Sequence, residues 1–266
     1  MGNLFGHLMR RHAIFLSVSA FLLFGFEFLM CGIVSTVDLS GALQELLKSV
    51  PPFMRSIIEE QFLGGLGPKG ILALGWNHPI ALALGAAISI VLASRSVAGE
   101  IEIGVMELTL SQPLSRGRYI GAQILFALSA LAAVSLIGAC GTLAGGEAYR
   151  LHLFPAWVLL KLALNFFLLQ AAWYGLTLAF SVLTREAGRV ATAGFLLALV
   201  SYLVNVIAKL WKTAGSLLPY SLNTYFSPQD IFLDNNLKTG AVLILAGVIL
   251  ASTAFAIQRF QQRDIP

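Results

Sequence analysis

The residues best placed to do chemistry crowd into one stretch. Glu100, Glu102 and Glu107, with Arg95, Arg116 and Arg118 around them, lie in 94–123, which reads SRSVAGEIEIGVMELTLSQPLSRGRYIGAQ. Interleaved carboxylates and guanidiniums make charge-assisted hydrogen bonds, with each other or with another protein's surface. On a helix turning about 100° per residue, Ile101, Val105 and Leu108 form one apolar stripe. Ile103, Met106 and Leu110 form a second, Glu100, Gly104 and Glu107 lie between the two, and Glu102 and Thr109 lie opposite. A helix with two apolar stripes has two things to touch, its own bundle and a partner. The alternative is a solvated loop whose charges only anchor its neighbours.

Glu27 is the other candidate, deep in an apolar run. A charge at that depth costs about 2.5–3.5 kcal/mol on insertion scales, so the side chain must face protein or water, or be protonated. A place on a substrate path and a structural bond to another helix both meet that demand. Asn165, Gln170, Asn205 and Gln123 are less costly polar groups, expected to bond between helices. His7, His12, His78 and His152 are scattered, and neither HExxH nor GxSxG occurs. His78, between Asn77 and Pro79, is expected at an interface or bonded to a carbonyl rather than on a metal. Cys31 and Cys140 both sit in apolar runs, which suggests neither a disulfide framework nor a zinc site. No catalytic and no metal-binding set is therefore expected. No GxxxxGK(S/T) occurs, and Gly67-Pro68-Lys69-Gly70 has the wrong spacing to cradle phosphate. An energy source must come from another chain.

These residues have to be held by membrane helices. Of 266 residues, 58% are apolar and 11% charged, against about a quarter charged in soluble domains. Mean hydropathy is +0.83. Six runs reach the ~20 residues that cross a bilayer: about 13–36, 71–94, 120–144, 155–183, 190–208 and 240–258. Lipid offers no partner to an unpaired amide, so all six are expected to be helices in an all-α membrane protein with one domain. The run behind the basic N-terminus lacks a convincing cleavage site and is expected to be a retained span. The net charge of +4 comes with no basic run interleaved with aromatics, which argues against nucleic acid.

Six spans put both termini, 95–119 and 184–189 on one side. That side carries nine basic residues and the other eight, so the count alone leaves topology open. The Arg10–Arg11 pair abuts the first span, which favours cytoplasmic termini. Within 3–12, Leu4, Phe5, Leu8, Met9 and His12 share a face with Arg10 and Arg11 beside it, which suits either an amphipathic helix at the membrane surface or a frayed terminus. Pro51 and Pro52 split two amphipathic segments in the connection 37–70. The connection 209–239, with Pro219, Pro228, Tyr220, Tyr225 and Phe226, reads as a partly re-entrant cap with interfacial aromatics. Gly138, Gly141 and Gly145 are spaced for close helix packing rather than a dedicated dimer seam.

Ala98-Gly99-Glu100, Gly104-Val105-Met106-Glu107-Leu108 and Ser111-Gln112-Pro113-Leu114-Ser115-Arg116 resemble the connection between spans two and three of type-2 ABC transporter permeases. That connection commonly runs GE, GTMELLL, then P(V/L)SR; here Val105 replaces Thr, and Thr109 interrupts the leucines. The span count, long first outer loop and aromatic-rich last loop are also similar. The nearest-looking subgroup includes the copper-enzyme maturation permease. The resemblance implies a chain with no ATP site of its own, paired as a homodimer or heterodimer and served by two separate ATP-binding subunits that hold ATP and Mg. It also implies a coupling helix at 94–123 docked on the ATPase, with Gly99, Glu100, Gly104, Glu107, Pro113 and Arg116 as coupling positions. Pro113 would end the helix, leaving Arg116 and Arg118 available to Glu100 or Glu107. Export is implied by resemblance, as is the cell membrane; the substrate is not legible. A membrane scaffold or intramembrane enzyme is the alternative, and would need polar residues converging deep in several spans. A secondary transporter would show paired broken helices and an inverted repeat.

Overall fold

The computed structural model describes residues 2–36, 68–111, 115–151 and 155–263, and every regular element among them is helical. Helix α1 spans Gly2–Thr36; α2 (Pro68–Trp76) and α3 (Pro79–Ser96) make the second span. Two short helices follow, α4 (Ala98–Glu102) and α5 (Val105–Leu110). Next come α6 (Arg116–Ala148), α7 (Ala156–Ser181) and α8 (Ala187–Leu210). Two 3-10 stretches, Lys212–Tyr220 and Leu222–Tyr225, lead through α9 (Pro228–Asp234) to α10 (Thr239–Gln262). Six segments are thus long and apolar enough to cross a membrane, as expected from hydropathy.

The first helix departs from expectation. Its 35 residues run unbroken, about 52 Å at ~1.5 Å per residue against a hydrocarbon core of ~30 Å. Residues 3–12 are continuous with the helix of the first span, and no separate helix precedes it among the described residues. No proline interrupts them. Part of their apolar face is taken up by the bundle: Leu8 is buried, and the Phe5 and His12 rings lie 5.6 and 5.7 Å from that of Phe126 on α6.

The second span is broken where a continuous helix was expected. Proline has no N–H to continue the ladder, so α2 stops at Trp76 and α3 restarts with Pro79 in its first turn. The Asn77 and His78 amides still bond back to Ala73 and Gly75, at 3.1 and 3.0 Å. His78 Nδ1 accepts from the Ile80 amide at 3.3 Å, so this histidine is a helix cap. The amphipathic segments expected in 37–67 lie outside the described residues.

Helix α7 is the most enclosed span and packs against α3, α6, α8 and α10. Helices α8 and α10 keep most of their surface outward, as lipid-facing spans should. The glycines of α6 form an internal seam with α1, not a surface one. A Cβ on Gly141 would stand 2.4 Å from the Phe24 carbonyl oxygen, and one on Gly145 would stand 2.7 Å from Cys31 Cβ. Backbones that close leave no room for a methyl group.

The connection after α8 folds back onto the bundle. Asn165 Nδ2 donates to the Tyr225 carbonyl at 3.0 Å, and its Oδ1 accepts from the Ser227 amide at 3.1 Å. Asn77 donates to Gln229 at 2.8 Å, tying this connection to the break in the second span. The aromatics divide: Tyr220 is 83% exposed, but Phe226 is 1% exposed and packs on Phe166, ring centroids 5.6 Å apart. Phe226 is a core residue, contrary to its expected interfacial place.

Replacing Gly141 with Leu should destabilise the protein by about 1–3 kcal/mol, the usual cost of overpacking a core. Gly121→Ala, on the same helix with nothing within 4 Å of its added methyl, should leave the melting temperature no lower, since alanine favours helix over glycine. Thermal unfolding in detergent compares the two; equal melting would remove the seam.

Candidate functional site

The segment linking the second and third spans is fastened to the bundle at three points. Its first helix, α4, is buried at Ala98, Gly99 and Glu100. The Ala98 amide donates to Ser181 Oγ, at the end of α7, at 3.0 Å. Glu100 is 4% exposed and forms an ion pair with Arg11 of α1. Glu102 accepts from the Ala187 amide, in the first turn of α8, at 2.8 Å. A carboxylate on a helix N-terminus satisfies an otherwise orphaned amide and complements the helix dipole. Three spans therefore grip five residues.

Gly104 breaks the segment in two. Its φ of +72° places it in the left-handed region, which glycine adopts at no steric cost. The Ile103 and Gly104 amides bond to Gly99 and Ile101, at 3.3 and 3.1 Å, closing α4 before α5 begins. The two stripes expected of one continuous helix are consequently rearranged. Ile101 packs on the core, and Met106 is 1% exposed. Ile103, at 60%, and Val105, at 37%, are exposed, as are Gly104 and Glu107. The result is an inward root and an outward tip.

The proposed coupling residues accordingly separate. Gly99 and Glu100 belong to the root; Gly104 and Glu107 belong to the tip; Pro113 lies outside the described residues. Arg116 turns away from both glutamates, and its Nη1 donates to the Arg263 and Gln261 carbonyls past the end of α10. The expectation that Arg116 or Arg118 would serve Glu100 is therefore corrected: Arg11 serves it. Arg11 is 89 positions away in sequence, and nothing local marks the pair beyond an arginine next to an apolar span. Tyr119 also escaped notice. Its hydroxyl donates to the Ser96 carbonyl at 2.8 Å and accepts from Gln123 Nε2 at 3.0 Å, fixing the start of α6 against the end of α3.

Glu27 is remote from this junction. It is fully buried, and neither carboxyl oxygen has a hydrogen-bond partner among the described residues. The neighbouring Thr142 hydroxyl accepts from Trp76 Nε1 at 3.1 Å, and Cys31 Sγ donates to the Thr142 carbonyl at 3.5 Å. Among the remaining intramembrane amides, Asn165 and Asn205 bond to the connection after α8, Gln123 bonds to Tyr119 of its own helix rather than to another, and Gln170 has no partner among the described residues. No group of three or more His, Cys, Asp or Glu side chains placed to hold a metal occurs among the described residues.

The Arg11–Glu100 pair should prove itself by charge exchange. Arg11→Glu should destabilise the protein by about 2 kcal/mol, less than the ~3–5 kcal/mol of a fully buried pair that loses one member, because the Arg11 side chain is 30% exposed. Combining it with Glu100→Arg should restore much of the melting temperature. A double variant no better than the worse single one would discard the pair.

The family model described as "ABC-2 family transporter protein" matches residues 7–265, nearly the whole chain. A comparison with curated protein sequences finds no match. The matched region takes in the fastened junction and almost all of the six apolar spans. The chain belongs to the ABC-2 family of transporter proteins, as a multi-pass membrane permease subunit that works with an ATP-binding subunit.

Proposed function

We propose that this permease exports its substrate across the cell membrane, driven by ATP that separate subunits hydrolyse, and that the tip at Ile103, Gly104, Val105 and Glu107 is where those subunits push. Two ATP-binding subunits, holding ATP and Mg, would serve two permeases, a homodimer or a heterodimer of this chain with a relative. Both termini and the tip would face the cytoplasm.

The observation that carries this reading is the contrast between root and tip. A segment held by α1, α7 and α8 is rigidly connected to the bundle, yet it presents an exposed isoleucine and an exposed glutamate outward. An exposed apolar residue beside a charge suits a small docking knob. A displacement applied there reaches three spans at once through the ion pair, Ser181 and Glu102. Glu100 then acts as a fastening within the permease, and Glu107 as the acid that meets the partner.

Ile103→Asp combined with Glu107→Arg should weaken copurification with the ATP-binding subunit about tenfold or more, as loss of a central interface anchor does. Tyr220→Ala, on the exposed cap at the other end, should leave it intact. Unchanged copurification and ATP-dependent transport in the tip variant would reject the docking assignment. Orientation has its own measurement: a cysteine placed at position 103 should react with a membrane-impermeant maleimide only after the cells are opened. Labelling of intact cells would place the tip outside and end the proposal.

A further inference from the structure

Four arginines gather where α6 begins and α7 and α10 end: Arg116, Arg185, Arg259 and Arg263. Two of them have structural work. Arg263 Nη1 donates to the Val182 and Thr184 carbonyls, at 2.8 and 3.1 Å, closing the end of α7; Arg116 caps the end of α10. Cations at helix C-termini are favourable in themselves. Arg259, in the last turn of α10, gains from the same helix terminus but makes no bond there, and neither it nor Arg185 pairs with a carboxylate among the described residues. The glutamates nearest in sequence are engaged elsewhere: Glu100 with Arg11, Glu102 with the Ala187 amide, Glu186 with Arg189. Burial, and then the charge of Arg185, push Arg263 below the ordinary arginine range. Among the described residues, the cluster holds more positive charge than the neighbouring carboxylates neutralise.

An open pocket of about 170 Å³ lies beside these cations, lined by Val182, Leu183, Arg259, Gln262 and Arg263. Two apolar residues, two arginines and a glutamine form its wall, and Leu183 is 52% exposed. The pocket sits at the last turn of one apolar helix, Thr239–Gln262, and just after the end of another, Ala156–Ser181, where span ends meet lipid headgroups. Guanidinium forks match phosphate oxygens, and basic pockets between spans take anionic headgroups. An exposed leucine beside the forks is where the glycerol and first methylenes of a lipid would rest.

We propose that this pocket binds the phosphate of an anionic phospholipid in the leaflet on the side of the chain termini, with Arg259 and Arg263 on the phosphate, Arg185 attracting it, and Leu183 against its apolar part. This site is independent of ATP coupling, and its test requires no ATPase.

Purified full-length protein, stripped of lipid in detergent, is offered phosphatidylglycerol or phosphatidylcholine and examined by native mass spectrometry. Wild type should retain phosphatidylglycerol in preference to phosphatidylcholine. Arg259→Gln and Arg185→Gln should each lower that retention about fivefold, the effect expected of one basic residue near a charged lipid surface. Arg259 is exposed and unpaired, so its variant should melt like wild type without lipid, which separates a binding defect from misfolding. Arg10→Gln removes the same charge elsewhere on this face and should retain lipid normally. Equal retention of both lipids, or an equal loss in Arg10→Gln, would overturn the site. Displacement of the lipid by millimolar inorganic phosphate would show an anion site that does not require a lipid, and would overturn the lipid assignment.

Discussion

Lipid cannot hydrogen-bond to a peptide group, and the rest of this fold follows from that constraint. Continuous helix satisfies it without help, and α6 and α7 cross unbroken. Wherever the helix stops, side chains take over. At the break in the second span, the His78 ring caps α3, and Asn77 reaches across to Gln229. In the connection after α8, Ser201 Oγ accepts from the Leu222 amide at 3.0 Å, and Asn165 both donates to and accepts from the backbone. The long-range polar contacts at these breaks therefore satisfy backbone that would otherwise be orphaned, while serines and threonines within the helices, such as Ser89, Ser135 and Thr253, bond to their own helix. Most of them are structural, and that is why so few remain as candidates for chemistry.

Within the spans, Glu27, Gln170 and Tyr174 are the exceptions, their side chains buried without hydrogen-bond partners among the described residues. An unsatisfied polar group in a packed core carries a desolvation penalty of about 1–3 kcal/mol, so none of the three belongs there for stability alone. They do not converge as a catalytic site requires. Glu27 lies on α1 beside Thr142 of α6, and Gln170 and Tyr174 lie one turn apart on α7. A Cβ on Gly85 of α3 would stand 2.5 Å from the Gln170 amide, so the glutamine presses on bare backbone. The arrangement does not favour an intramembrane enzyme. It places unspent polar capacity at two helix contacts, α1–α6 and α3–α7.

Much of the architecture was legible in sequence, because a run of some twenty apolar residues has few other uses. The spans fall within several residues of expectation, and the glycine seam is where its spacing put it. What escaped was set by distant contacts or by single torsions. The stripes on 101–110 were drawn for one helix; a single left-handed φ at Gly104 rotated half of them, exposing Val105 and burying Met106. Glu100 had two plausible arginines nearby in sequence and chose a third on another helix. Phe226 looked like its interfacial neighbours, yet Phe166, sixty residues before it, draws it into the core. The break after Trp76 has a local signal in Pro79, whose missing amide cannot continue the ladder, but a hydropathy run from 71 to 94 passes straight over it.

Helix α1 joins the two ends of this account. Near its start Arg11 holds the root of the segment between the second and third spans, and further along Glu27 lies in the tightly packed seam with α6. These positions are sixteen residues apart on one unbroken helix, about 24 Å at ~1.5 Å per residue. A rigid rod carries displacement over that distance, whereas a hinged one absorbs it. The absence of a break between residues 3 and 36 therefore matters more than an in-plane foot would have. On the proposed function, a push at the tip is not confined to the second and third spans. It acts on α1 through Arg11, and the glycine seam, with no side chains to yield, passes it to α6. The backbone contacts that make the seam stable also make α1 and α6 move as one body. The lightly packed α8, held at its first turn by Glu102, is the span best placed to move relative to them.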